Sequence, residues 1–189
     1  MNYEYDYPLI WIDLEMTGLN LKKDQIIEIA IIVTDSNLDN RKEGPSLIIK
    51  CPDNILNGMD DWCTLHHDKS GLTENVKKSQ ITLIEAEIQV LNFIKNDCNI
   101  KTGEGILAGN SIHIDKTFLM KDMPNLHDFL HYRIMDVSTI KILCQKWYPA
   151  IYLNAPLKKG SHRALEDIKE SIEELQYYRK MIMIPPKLK

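Results

Sequence analysis

The chain has 189 residues, 44% of them apolar, which is enough for the core of one globular domain and too little for two of full size. Its 27 acidic and 23 basic side chains leave a formal net charge of -4, and no basic stripe is visible, which argues against a protein that tracks along long nucleic acids. No apolar run reaches the length of a membrane span, and the acidic, aromatic start from Met1 to Tyr7 resembles neither a secretory signal nor an Arg-rich transit peptide. A cytoplasmic protein is expected. Cys51, Cys63, Cys98 and Cys144 are widely separated, with no C-x-x-C pair, and are expected to be free thiols in a reducing compartment.

In chain order, Pro8 to Ile12 is a short apolar run of β-formers closed by Thr17-Gly18, and it predicts a buried strand. Ile26 to Thr34 and Ser46 to Lys50 predict two more, and the short polar connections suggest an antiparallel meander. From Ile81 to Asp97 the period changes to that of a helix, with Ile84, Ile88, Leu91 and Ile94 on one face. Ile106 to Ala108 predicts a strand ending at Gly109-Asn110-Ser111, and His113 to Lys121 a helix stopping near Pro124. Tyr132 to Val137 is expected to be a strand and Ser138 to Trp147 a helix ended by Pro149. Tyr148 to Gly160 has no clean period and reads as a loop. The last helix is expected from His162 to Met181, with Ser161 as N-cap and Leu165, Ile168, Ile172, Leu175 and Tyr178 on one face. Three meander strands followed by alternating helices and strands predict an α/β fold, a mixed five-stranded sheet with helices on both faces.

Five residues carry the chemical signal. In Trp11-Ile12-Asp13-Leu14-Glu15, strand alternation puts Asp13 and Glu15 on one face, where a divalent cation relieves their repulsion. The alternative is a solvated strand end, since a D-x-E triplet is weakly specific. Asp115 enters a helix just past a strand end, where α/β sheets collect ligands, although an acid there also suits the helix dipole. In Ser161-His162-Arg163-Ala164-Leu165-Glu166-Asp167 a histidine leads a helix and a carboxylate follows one turn later. His162 suits a general base at neutral pH. Either Asp167 or Glu166 can be the ligand by spacing alone. Phosphoryl transfer uses two divalent ions about 3.5–4 Å apart, and an all-oxygen site selects Mg²⁺ or Mn²⁺ over zinc.

These residues bring a family into view. Trp11 to Leu19, Gly109-Asn110-Ser111-Ile112 with Asp115, His131-Tyr132-Arg133, Asp136-Val137-Ser138-Thr139 and Ser161-His162-Arg163-Ala164 with Asp167 resemble oligoribonuclease, a branch of the DEDDh exonucleases. The likeness runs from Leu9 to about Arg179. It implies an RNase H-like fold, with Asp13, Glu15, Asp115 and Asp167 holding two metals and His162 as base, and it favours Asp167 over Glu166. It also implies that Leu19 and Trp62 wedge and stack on bases. Ser111, His67, Tyr132, Arg133 and Ser138 would surround the terminal phosphate, with Tyr132 and Arg133 reaching across a homodimer interface. His66 and His67 are not separable by sequence, and His67 is preferred from its spacing to Trp62.

The activity so implied is 3′-to-5′ removal of nucleotides from very short single-stranded RNA, dinucleotides included. Two alternatives stand beside it, a non-catalytic RNase H-like module that binds nucleic acid or protein and a DNA-directed exonuclease of the same superfamily. Mitochondrial entry is left open.

Overall fold

The computed structural model describes residues 7–157 and 163–183. Its sheet has five strands in the order β3-β2-β1-β4-β5. These are β1 (Leu9–Met16), β2 (Ile26–Thr34), β3 (Lys42–Ile48), β4 (Ile106–Gly109) and β5 (Ile134–Asp136). The first three form the expected antiparallel meander, and β1/β4 and β4/β5 pair in parallel. The first strand is longer than its apolar run, because pairing with β2 carries it through Asp13 and Glu15 to Met16.

The nine helices among the described residues are α1 (Asp53–Leu56), α2 (Asp61–Lys69), α3 (Leu72–Lys78), α4 (Leu83–Asn92), α5 (His113–Asp122), α6 (Pro124–Phe129), α7 (Val137–Trp147), α8 (Pro149–Leu153) and α9 (Ala164–Ile182). Helices cover both faces of the sheet, as expected. On one face Ile10, Ile12 and Leu14 of β1 join Ala86, Val90, Phe118, Leu119 and Leu126 of α4, α5 and α6. On the other, Leu9 and Trp11 join Val137 of α7 and Ala164, Ile168, Ile172 and Leu175 of α9. Strand alternation therefore turns Asp13 and Glu15 toward the side of α9.

Three expectations are corrected. The face of α4 proposed from Ile84, Ile88, Leu91 and Ile94 is rotated, with Ile84 69% and Ile88 50% exposed, while Ala86, Glu87 and Val90 are buried. Glu87 takes a core-facing position because it accepts the Leu126 N–H at 2.9 Å, capping α6, and the Asn125 amide at 2.9 Å. A π-helical turn over Phe93–Asp97 then shifts the register by which Ile94 turns inward. Second, the stretch from Tyr148 contains α8, and α6 follows α5 directly. Pro124 and Pro149 end one helix and occupy the first turn of the next, where a missing N–H costs nothing. Third, α9 starts at Ala164 with Arg163 as its cap residue and no side-chain cap bond, whereas Ser161 lies outside the described residues.

The segment between β3 and α4 folds as α1, α2 and α3, which are too short and too weakly amphipathic for periodicity to show. Cys51, Leu56, Leu72 and Val76 pack there on Ile27 of β2. No helix of the described residues is long and apolar enough to cross a membrane.

Candidate active site

Along β1, Asp13 faces Ala30 and Glu15 faces Glu28 across the β2 pairing, but β4 accompanies β1 only as far as Trp11. The β4 side of β1 is thus open from Ile12 onward. Into that gap comes Asp115 from the first turn of α5, and its Oδ1 accepts the Leu14 N–H at 3.1 Å. A carboxylate in a first helical turn is favoured by the helix dipole. Asp167 arrives from the first turn of α9, and one carboxylate oxygen from each of Asp13, Glu15 and Asp167 lies within 4.8 Å of the other two. Glu166 turns away, pairing at the surface with Lys169 at 3.2 Å. Geometry thus separates the two acids that spacing could not.

The electrostatics are those of carboxylates crowded out of water. Burial, then the charges of Glu28, Asp167 and Asp115, push Glu15 up to about 8, opposed by Arg163. Burial, with Asp136 adding, pushes Asp115 up to about 7, opposed by its own N–H and that of Leu14. Burial raises Glu28 as well, and the Arg163 guanidinium, donating to its Oε1 at 3.1 and 3.3 Å, holds it back. Sequence reasoning missed Glu28. The signal was present, since one charged residue in a strand buried at all nine positions needs a charged partner.

Beside Glu15 lies a cavity of about 440 Å³ lined by Leu14, Glu15, Met16, Leu19, Trp62 and His67, among others. Leu19 and Trp62, 70% and 57% exposed, stand on it. Leu19 sits on a turn organised by buried Asp24, which accepts the Thr17 hydroxyl at 3.2 Å and the Asn20 N–H at 2.8 Å. A Cβ on Gly18 would lie 2.5 Å from Asp24 Oδ2, so only glycine lets the turn close this tightly. Trp62 lies in the first turn of α2, whose N-cap Asp60 accepts the Cys63 N–H at 2.8 Å, and its ring stacks on His66 at 4.0 Å. His67, not His66, points inward. Its Nε2 donates to the Met16 carbonyl at 2.9 Å, and its Nδ1 lies 3.9 Å from Glu15 Oε2.

A second group of expected residues forms around the turn after β4. Asp136, the N-cap of α7, accepts both the Ser111 and Ser138 N–H groups on Oδ1 at 3.0 and 2.9 Å. Ser138 Oγ in turn accepts the Ser111 N–H at 2.9 Å. Tyr132 is 73% exposed, with the Arg133 guanidinium 5.4 Å from its ring centre. Asp136 lies close enough to Asp115 for its charge to add to the upward push on that carboxyl. His162 lies outside the described residues.

Residues 10–175 match the exonuclease family model RNase_T. Over 176 residues the chain is 57% identical to the protein named "Oligoribonuclease, mitochondrial" of Homo sapiens, covering 92% of this chain and 73% of that one. It is 50% identical to the oligoribonuclease of Hydrogenovibrio crunogenus, covering 94% and 95% of the two chains. The chain belongs to the oligoribonuclease family. Among solved structures, a zinc-bound complex of E. coli exonuclease I with single-stranded DNA superposes with a TM-score of 0.69 over 94% of this chain and 41% of that one. At 12% identity that likeness shows the fold, which is RNase H-like as the oligoribonuclease motifs implied.

Proposed function

We propose that the chain is a single-domain 3′-to-5′ exoribonuclease that degrades very short oligoribonucleotides, dinucleotides above all, to nucleoside 5′-monophosphates. The observation that carries this is the convergence of Asp13 and Glu15 from one strand with Asp167 from the last helix, all within 4.8 Å. The donor set is all oxygen, and Glu15, pushed up to about 8 by burial and by the carboxylates around it, is a group that positive charge would relieve, which fits two Mg²⁺ or Mn²⁺ ions. Asp13, Glu15, Asp115 and Asp167 would hold them. Bound cations of this kind polarise the phosphate and lower the pKa of water.

The remaining steps belong to the chain's own residues. Leu19 and Trp62 grip the bases at the cavity, base stacking on an aromatic ring being worth about 1–3 kcal/mol. His67, expected at the terminal phosphate, lies instead beside Glu15, where its bond to the Met16 carbonyl fixes the end of β1 and so the aim of Glu15. Ser111, with Tyr132 and Arg133, receives the phosphate at the far end of the substrate, Ser138 lining the turn beside it, and His162 accepts the proton of the attacking water on its neutral imidazole. Closure around that far phosphate leaves no path for further nucleotides. Turnover by the purified protein is therefore expected to fall steeply from a labelled RNA dinucleotide to a heptamer, and to vanish with chelator. An intact dinucleotide in the presence of Mn²⁺ would favour a non-catalytic binding module, and equal rates on DNA and RNA dinucleotides would favour a general exonuclease.

A homodimer is part of the proposal. Tyr132, Ile134 of the edge strand β5, Ile142 and Trp147 of α7 and Leu153 of α8 are exposed apolar side chains that such an interface would cover. Sedimentation equilibrium is expected to give twice the chain mass, and Trp147→Glu a monomer with turnover reduced at least about tenfold, since a desolvated aromatic anchor is worth 2 kcal/mol or more. A monomeric wild type with full activity would remove the dimer from the proposal. Residence in the cytoplasm is proposed, and mitochondria are equally open to test because relatives named mitochondrial match this closely.

A further inference from the structure

Behind the Ser111 turn runs a line of buried polar groups that the reading above does not use. On α9, Asp167, Ser171 and Glu174 follow one another at four- and three-residue spacing and share a face. Ser171 Oγ donates to the Asp167 carbonyl at 2.7 Å, so it offers a lone pair to its other neighbour. That neighbour is Asn110. Its Nδ2 donates to Ser171 Oγ at 2.9 Å and to Glu174 Oε2 at 3.1 Å. Glu174 is 3% exposed, and its other oxygen accepts from Tyr178 Oη at 3.3 Å and pairs with Lys141 Nζ at 3.1 Å.

These contacts fix which way the Asn110 amide points, because a carboxylate can only accept. Asn110 Oδ1 is thereby turned to Ser138 Oγ, 3.3 Å away, and the hydrogen in that contact must come from the serine. Ser138 then has no second hydrogen to give. Its lone pairs receive the Ser111 N–H at 2.9 Å and face Ser111 Oγ at 3.2 Å. With the Ser138 hydrogen committed to Asn110, the contact between the two hydroxyls is donated by Ser111, and Ser111 is the one whose hydrogen can be turned from that contact outward to a phosphate. Ser111 is also held at φ 51°, a left-handed conformation unusual for serine, which persists only where its surroundings impose it.

We infer that Glu174 and Asn110 are positioning residues that orient the Ser138 hydrogen inward and leave Ser111 as the donor to the substrate's terminal phosphate. The inference rests on the proposal that this turn receives that phosphate. It also ties the phosphate turn to the helix that carries Asp167, so that both ends of a dinucleotide are measured from one rigid element.

The test is an exchange of partners. Asn110→Asp sets two carboxylates against each other, and Glu174→Gln sets an amide N–H₂ either against Asn110 Nδ2 or against Lys141. The double variant Asn110→Asp/Glu174→Gln restores one donor facing one acceptor. Each single change is expected to raise KM for a 5′-phosphorylated RNA dinucleotide about tenfold, the loss of one hydrogen bond to a charged group, with kcat and the KM for the 5′-hydroxyl dinucleotide within about twofold of wild type. The double variant is expected to return within about threefold of wild type. Retained Mn²⁺ binding by calorimetry verifies that each variant is folded. If Asn110→Asp does not fold, Glu174→Gln and the double variant decide the matter. A wild type that treats phosphorylated and hydroxyl dinucleotides alike would overturn the phosphate reading and this inference together. A wild type that prefers the phosphate, with single variants that keep the preference or a double variant that is not rescued, would overturn this inference alone.

Discussion

Glu15→Gln is expected to lower kcat by about 100- to 1,000-fold while raising the melting temperature of the cation-free protein at pH 8, opposite effects of one isosteric change. The cause is the environment of Glu15. Burial and the charges of Glu28, Asp167 and Asp115 push its carboxyl up to about 8, so at that pH the folded protein carries repulsion that the unfolded chain lacks. A neutral amide removes the repulsion, and each kcal/mol recovered raises the midpoint by roughly 2–4 °C for a chain of this size. At pH 4, below the 4.5 of the unfolded chain, Glu15 is mostly protonated in both states, so the two proteins should melt nearly together. The amide cannot supply the anionic oxygen that the proposed metal site requires, hence the loss of turnover. Melting curves in chelator at pH 4 and pH 8, with dinucleotide turnover in Mn²⁺, check both halves. A variant less stable than wild type at pH 8 would show that Glu15 is not held under charge repulsion.

Much of this arrangement was legible in the sequence because strand alternation is a strong constraint. Leu9, Trp11, Asp13 and Glu15 share a face by period alone, and the structure places the first two in the α9-facing core and the last two beside Asp167. Asp115 was legible as a strand-end residue, but the bond to Leu14 that holds it depends on β4 ending before β1 does, which no local pattern encodes. Glu28 and Arg163 are 135 residues apart, and only the fold brings them together. The α4 face was misread because two isoleucines outweighed Glu87 in a count of apolar residues, while the structure buries the glutamate to cap α6. Segments α1, α2 and α3 had no period to read. Yet they carry Trp62 and His67, so those residues came into view through family likeness alone. His66 and His67 were separated only by the direction of α2, which buries the second and stacks the first on Trp62.

The cation itself offers the second large effect, a stabilisation that grows with pH. Glu15 is pushed up to about 8 and Asp115 to about 7 in the folded protein, from ordinary values of 4.5 and 3.8. Between the unfolded and folded values the native state binds more protons than the unfolded chain, so stability falls as pH rises. The contribution of these groups is fully present below about pH 4 and is lost through pH 7 to 8. A divalent cation binds the deprotonated carboxylates, and so competes with those protons at pH 6 and much less at pH 8. At a cation concentration of about 100 times Kd, binding adds roughly 2.7 kcal/mol, a rise of about 5–11 °C. Melting curves with and without Mn²⁺ are expected to show that rise at pH 8 and less than half of it at pH 6. The same shift at both pH values would mean that the ion binds where no proton is displaced, and therefore away from Glu15 and Asp115. Asp167→Asn separates the remaining possibility. It should abolish the pH 8 shift if the ion sits among Asp13, Glu15 and Asp167, because removing one of three converging anions takes away counter-charge from the cation without disturbing the surface carboxylates that bind cations weakly at any pH.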